Sequence, residues 1–197
     1  MGAAGAKELL LSMAGKFEVS QIYNLLRPAY PKVFWRYSVH DSAVYPKHRF
    51  IGHLAVQMRL PTVDSLVQRG FSWINRCALC EAAQETHQHL FFECTWSAAL
   101  WTRIQSFFSF ATHSNELASV LAWFHSHNRG SSWIKKRKRS ALLSVIYQIW
   151  QERNHRIFRS QDRSIDVVSQ LVISQVTLRM SFCSLGLDEA TILRHMY

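Results

Sequence analysis

The stretch "CALCEAAQETHQHLFFEC", residues 77–94, concentrates the side chains that bind transition metals. It holds three of the four cysteines and two of the ten histidines of the chain. Thiolate sulfur and imidazole nitrogen are the usual ligands of tetrahedral zinc, and a Cys-x2-Cys pair such as Cys77 and Cys80 fits the tight turn of such sites. Cys94 and one histidine, His87 or His89, complete a four-ligand set. The spacing therefore predicts one zinc ion, Zn²⁺, within these residues.

Helix geometry distinguishes the two histidines. If the chain before Cys94 is helical, His87 and Cys94 share a face but lie two turns apart, about 10 Å along the axis. His89 is nearer, although five residues of α-helix rotate by about 140°, so the helix has to loosen before Cys94. The predicted ligands are therefore Cys77, Cys80, His89 and Cys94. Four protein ligands leave no open position for water, so we expect a structural zinc that staples a loop with little core of its own.

The same cluster has two alternative explanations. The cysteines could be scattered core residues, or one of them could be a catalytic thiol beside a histidine. Four-ligand spacing within eighteen residues argues against scattered core cysteines. A catalytic thiol would leave the Cys-x2-Cys pair unexplained, and nothing near it marks an oxyanion site. A polymerase would also need paired aspartates to hold two metal ions, and the sequence contains no Asp-Asp pair. We therefore predict that the protein is not an enzyme.

The sequence around the cluster resembles a known family, the zinc-binding domain downstream of the reverse transcriptase in plant non-LTR (LINE-type) retrotransposons. The resemblance covers residues 17–104 and agrees with His89 as the ligand. It departs from the family at His53, where Trp is usual, and at Ser65, where Arg is common. The matching positions are Pro46, Lys47, His48, Phe50, Arg59, Leu60, Thr62, Asp64, Leu66, Cys77, Leu79, Cys80, Glu85, Thr86, His89, Leu90, Phe91, Cys94 and Trp101.

The resemblance also implies an organisation for the whole chain. Residues 1–16 are an N-terminal extension, 17–104 the zinc-binding domain and 105–197 a C-terminal helical region. The segment "IWQERNHRIF" resembles one that follows the domain in such elements, so the chain resembles the C-terminal part of a retrotransposon polyprotein without its polymerase.

Apolar periodicity predicts a mainly α fold, a helical domain with a small zinc-stapled loop or hairpin followed by C-terminal helices. Pro46 is expected at the first position of one helix, with Phe50, Leu54 and Met58 on its apolar face. The segment 164–180 is expected to be a last helix, although its uniform apolarity leaves a strand possible. A helix is expected at 20–27, after an extended piece at 17–19, and another at 62–69, between Thr62 as N-cap and Gly70. Further helices are expected at 95–108, 115–127 and 133–158. The last of these has an apolar stripe of Leu142, Ile146, Ile149, Trp150 and Ile157.

A basic charge is the main compositional feature. The 197 residues carry a formal charge of +10 and a pI of about 9.8, which favours anionic partners such as RNA or DNA. The run at 135–139 is typical of a nuclear localisation or nucleic-acid signal, and equally of a solvated helix. Phe71, Trp73, Phe91 and Phe92 could stack on bases or form the core of the zinc loop. The predicted nucleic-acid contacts are Lys47, Arg49, Arg59, Arg69, Arg76, Lys135, Lys136, Arg137, Lys138 and Arg139.

Three functions are compatible with these features. The first is a non-catalytic, zinc-binding, nucleic-acid-binding module in the nucleus or shared between nucleus and cytoplasm. The second is a zinc-stabilised scaffold that binds a protein partner, and the third is a decayed retroelement fragment. No apolar run reaches the roughly 18 residues of a membrane span, so no membrane partner is expected.

Overall fold

A computed structural model of the protein describes residues 33–112, 116–127 and 132–185. These residues form seven α-helices and one π-helix, and no strand occurs among them, which confirms the predicted mainly α class. The elements predicted at 17–27 lie outside the described residues. In chain order the helices are α1 (Arg36–Val39), α2 (Pro46–Val56), α3 (Val63–Gln68), the π-helix (His89–Glu93), α4 (Thr95–Phe108), α5 (Leu117–His127), α6 (Trp133–Arg159) and α7 (Ile165–Ser184).

Helix α6 is the central element of the described core. It packs against α2, α4, α7 and the π-helix, and its side chains are buried on almost every face from residue 139 to 150. The predicted apolar stripe is buried over its first four members and half-buried at Ile157. Helix α2 approaches α6 so closely that a Cβ atom at Gly52 would lie 2.4 Å from Leu143 Cδ1. Glycine is therefore required at this contact unless Leu143 moves.

The apolar face predicted for α2 is wrong at Phe50 and Met58, whereas Leu54 is half-buried and packs against the core. Pro46 does begin the helix, but Phe50 is 62% exposed and Met58 is 69% exposed. The helix ends at Val56, and Met58 follows it with a left-handed φ of 53°. The face that meets α6 has a glycine at its closest approach, where Gly52 lies against Leu143, and a buried polar ring at His48, which contacts Ser144 and Tyr147. Its buried members are His48, Gly52 and Ala55.

The buried residue His48 belongs to the core rather than to a basic cluster. Its Nδ1 lies 3.0 Å from Ser144 Oγ, and its ring centroid lies 4.3 Å from that of Tyr147. Burial, with a smaller effect of the Lys47 charge, lowers the pKa of His48 to about 3. The imidazole is therefore neutral at physiological pH and adds no positive charge to the surface.

Helix α3 is tied to the zinc loop, which we define as residues 71–86. Thr62 occupies the predicted N-cap position, but its hydroxyl bonds to Asp64 instead of a backbone N–H. The N–H of Val63 donates to Glu85 Oε1 at 2.9 Å, so a carboxylate from the zinc loop caps the helix. After the helix, Gly70 adopts a φ of 91°, as predicted for a residue that ends a helix.

The segment 165–184 is the helix α7, so its alternative as a strand is wrong. The Ser164 side chain caps it by accepting from the N–H of Val167 at 3.3 Å. Helix α7 packs on α4 and α6 and buries Val168, Val172 and Val176. Among the described residues, no helix is long and apolar enough to cross a lipid bilayer.

Candidate metal centre

A π-helix delivers His89 and Cys94 to the same side of the chain. The N–H of Cys94 donates to the carbonyl oxygen of His89 at 2.7 Å, which closes a wider turn than the α-helix does. In an α-helix these residues would point about 140° apart, whereas the wider turn brings residues five apart almost into register. The loosening of the helix that is expected before Cys94 is therefore present as a π-helix.

The four predicted ligands come together around one point. Their donor atoms all lie within 4.8 Å of one another, with Cys77 Sγ 3.9 Å from Cys94 Sγ and Cys80 Sγ 3.3 Å from His89 Nε2. In a zinc tetrahedron, bonds of about 2.3 Å to sulfur and 2.05 Å to nitrogen place two sulfurs about 3.8 Å apart and sulfur and nitrogen about 3.6 Å apart. The donors fit one zinc ion in both chemistry and spacing.

The second histidine of the cluster, His87, lies outside the donor set. It is buried, with its ring centroid 4.9 Å from that of Phe91, and it packs in the core beneath the site. Burial lowers the pKa of His87 to about 4, against a smaller opposing effect of Asp64. This residue therefore contributes a neutral aromatic ring.

The sulfur of Cys94 lies in surroundings that favour the thiolate. Cys94 occupies the N-cap position of α4. A hydrogen bond from the Cys77 thiol, aided by the backbone N–H groups of Ser97 and Trp96, lowers the pKa of Cys94 to about 5 although burial opposes this. The same hydrogen bond and burial raise the pKa of Cys77. Because zinc takes thiolates as ligands, Cys77 would also have to be deprotonated to hold it.

The comparison with protein families finds a zinc-binding family whose match spans this donor set. Residues 17–101 match the family model for zinc-binding in reverse transcriptase. The match confirms the family resemblance, and this family is an accessory zinc-binding domain rather than a catalytic one. No curated protein and no solved structure matches the chain.

Helix α6, which lies beyond the matched residues, holds the knuckle (residues 77–80) of the zinc-binding domain. Arg156 Nη1 donates to the carbonyl oxygens of Leu79 at 2.9 Å and Ala78 at 3.3 Å. The guanidinium of Arg156 also lies over the ring of Trp96, 5.5 Å from its centroid. These contacts fix the turn that carries the Cys-x2-Cys pair and place a positive charge beside it.

The Arg156 side chain is itself oriented by a buried carboxylate. Glu152 Oε1 accepts from Arg156 Nε at 3.0 Å, and Glu152 Oε2 accepts from Arg163 Nε at 2.7 Å. Burial acts to raise the pKa of Glu152, but hydrogen bonds from Arg163 and Arg156 hold it below its usual value. The carboxylate therefore stays charged and bridges the two arginines.

A second buried ion pair joins Arg153 of α6 to Glu85 of the zinc loop. Glu85 lies four residues before His89. Arg153 Nη2 donates to Glu85 Oε1 at 2.8 Å, and Arg153 Nε lies 3.2 Å from both carboxylate oxygens. The two side chains are 1% and 0% exposed. Arg153 also donates to the carbonyl oxygen of Pro61 at 3.3 Å, so it links the zinc loop, the start of α3 and α6.

The roles of Glu152, Arg153 and Arg156 were not predicted. The sequence signal for a role of this segment is the similarity of "IWQERNHRIF" to a segment that follows the zinc-binding domain in retroelements. Glu152 and Arg156, four residues apart, share a helix face, which predicts that they pair with each other. Nothing in that spacing indicates that they hold the knuckle, because their partners there are backbone carbonyl groups.

The predicted nucleic-acid contacts differ in how they are presented. The prediction of Arg139 as a nucleic-acid contact is wrong, because Arg139 is 4% exposed and its Nε donates to Asp41 Oδ2 at 2.6 Å. Its charge is used inside the core and does not contribute to a phosphate-binding surface. Lys47, Arg59, Arg69 and Arg76 are exposed, whereas Arg49, Lys135, Lys136, Arg137 and Lys138 are half-buried.

The run at 135–139 is therefore not a uniform basic strip. Lys138 Nζ donates to the carbonyl oxygen of Ser109 at 2.8 Å. The Arg137 guanidinium lies over the Phe108 ring, 5.5 Å from its centroid. These contacts attach the first turns of α6 to the end of α4. The side chains at the four positions 135–138 are half-buried.

The four predicted aromatic residues divide into two pairs. Phe91 is fully buried and Phe92 is 8% exposed, so both belong to the core beneath the zinc site. Phe71 and Trp73 are 55% and 40% exposed. The core of the zinc loop is thus formed by one pair, and the other pair faces solvent.

Proposed function

We propose that the protein is a non-catalytic, zinc-stabilised module that binds RNA or DNA through its basic surface. The observation that carries this proposal is the exposure of Lys47, Arg59, Arg69 and Arg76 on a chain of formal charge +10. The zinc centre, with three thiolates and a neutral imidazole, has a net charge of about −1 and does not attract phosphate by itself. Affinity therefore comes from the arginine and lysine side chains around it.

The metal centre supports the non-catalytic part of the proposal. Cys77, Cys80, His89 and Cys94 would supply all four ligands of a tetrahedral zinc, which would leave no position for a water molecule or a substrate. The match to an accessory zinc-binding family points in the same direction. A bound zinc would hold the loop that carries Arg76, whereas Lys47, Arg59 and Arg69 lie before this loop in the chain.

A salt titration tests nucleic-acid binding. Affinity for oligonucleotides should fall linearly on a log–log plot against salt, and each lost phosphate contact should reduce the slope by about 0.7 for single strands and 0.9 for duplexes. Arg59→Ala removes an exposed arginine and should flatten the slope by about this amount. Arg103→Ala is the matched control, because Arg103 is already paired with Asp166. No binding at low salt would refute the proposed function.

A protein-binding scaffold is the second candidate, and a groove between α4 and α7 favours it. The groove has a volume of about 900 Å³, and its walls include Phe107, Ile165 and Ile173. Phe107 is 55% exposed there. If the protein binds no oligonucleotide at low salt, this surface becomes the first to test for a protein partner.

A further inference from the structure

Three aromatic side chains form an exposed surface beside the knuckle. Residues 71–77 form neither helix nor strand, and within them Phe71 and Trp73 point into solvent although the core below is filled by other aromatic residues. The N–H of Trp73 donates to the carbonyl oxygen of Phe71 at 3.0 Å, which keeps the two residues together. Their exposure is therefore not needed to complete the core of the zinc loop.

The third aromatic residue comes from the last turn of α6. Phe158 is 65% exposed, and its ring centroid lies 6.4 Å from that of Trp73 at an interplanar angle of 58°. We call Phe71, Trp73 and Phe158 the aromatic surface. It combines a zinc-loop segment with a helix that lies beyond the matched family residues.

Exposed arginines lie next to the members of the aromatic surface along the chain. Arg69 and Arg76 flank the first two aromatic residues in sequence, and Arg159 follows the third, and all three arginines are exposed. Arg76 is anchored through its Nε, which donates to the carbonyl oxygen of Glu81. No acidic residue occurs in 65–80 or in 153–161. Within these limits every charged residue is basic, and the acidic residues Asp64, Glu81, Glu152 and Asp162 border them.

We propose that the aromatic surface is a binding site for single-stranded nucleic acid, on which unpaired bases stack while the arginines contact the backbone. The proposal rests on the proposed function, since it takes nucleic acid as the ligand. Aromatic side chains interleaved with arginine are the arrangement that binds single strands without sequence preference. A duplex keeps its base faces inside the stack and meets only the arginines.

The test measures binding of the full, zinc-loaded chain to labelled 12-nucleotide RNA and DNA single strands and to a duplex of the same length. Trp73→Ala should weaken single-strand binding by about 5- to 150-fold, the range expected for one stacked base. Duplex binding and the salt slope should stay unchanged, because no charge is removed. Trp73→Phe keeps an aromatic ring and should restore most of the affinity.

Trp133→Ala is the matched control. Trp133 is 43% exposed, close to the 40% of Trp73, and it lies at the opposite end of α6. Phe158 lies 25 positions after Trp133, which corresponds to about 38 Å of helix. This variant should bind single strands as the parent does, and Phe158→Ala should resemble Trp73→Ala.

Each other outcome overturns part of the reasoning. If no variant and no parent protein binds any oligonucleotide, the proposed function fails and the aromatic surface fails with it. If the parent binds but Trp73→Ala and Phe158→Ala bind equally well, the surface is refuted while the proposed function stands. Equal losses for single strand and duplex would also refute stacking. Zinc content and helical circular dichroism, measured on each variant, identify losses caused by unfolding.

Discussion

Replacing Arg153 with methionine leaves the carboxylate of Glu85 buried without its partner. Glu85 is fully buried. Of the contacts described above, its carboxylate keeps in the variant only the hydrogen bond from the N–H of Val63, which measures 2.9 Å. Removing one member of a buried ion pair destabilises a protein by about 3–5 kcal/mol. A typical domain is stable by about 5–15 kcal/mol, so the loss is a large fraction of the whole.

The same substitution should weaken zinc binding, because Glu85 lies four residues before the ligand His89 in the loop that the ion pair holds. If the loop has to be reordered when zinc binds, the free energy of zinc binding becomes weaker by at most the free energy of unfolding that the substitution removes. At 1.4 kcal/mol for each tenfold change, this limit is about 10²- to 4 × 10³-fold. Urea unfolding of the zinc-loaded protein measures the first effect, and competition with a chromophoric chelator measures the second.

Two further variants make this test specific. Arg103→Met removes one member of an exposed pair, which is expected to contribute about 0–1 kcal/mol, and should leave zinc affinity unchanged. Glu85→Gln/Arg153→Met removes both charges and should be less destabilised than the sum of the two single variants. A loss below about 1 kcal/mol in Arg153→Met, with parental zinc affinity, would refute the view that α6 anchors the zinc loop.

Three other predictions concern the metal, pH and location. His89→Ala should lose the single zinc that elemental analysis finds in the parent, and His87→Ala should keep it; the reverse result means that the ligand is His87. The pKa of His48 is about 3 in the folded protein and 6.5 in the unfolded chain, so its contribution is present above pH 6.5 and lost as pH falls towards 3. Between pH 7 and 5 the parent should therefore lose about 2 kcal/mol more stability than His48→Gln in urea unfolding, and equal losses would contradict this. Alanine replacement of residues 135–138, which spares the buried Arg139, should keep a large fluorescent fusion in the cytoplasm, and unchanged nuclear accumulation would reduce the run to a surface feature.

Local patterns in the sequence were sufficient for the metal ligands and for most helices. The four ligands lie within eighteen residues, so their spacing and the geometry of one helix were enough to predict them. Helices such as α4 and α6 were predicted within a residue or two, because their apolar residues recur at the helical period. The positions of Pro46 and Gly70 marked helix ends for reasons of backbone chemistry that need no tertiary contact. The domain limits at residues 16 and 104 stay a prediction.

Only the tertiary structure decided which face each helix buries and which charges are internal. The positions of Phe50 and Met58 predicted the wrong face of α2, because the face in close contact with α6 carries Gly52, which lies against Leu143. Arg139 and Arg153 are indistinguishable in sequence from surface arginines, and their partners Asp41 and Glu85 lie 98 and 68 residues away. A charge pattern shows where a side chain stands in the chain but not which distant segment packs against it. Burial and pairing at such separations are properties of the packed core, so they follow from the fold alone.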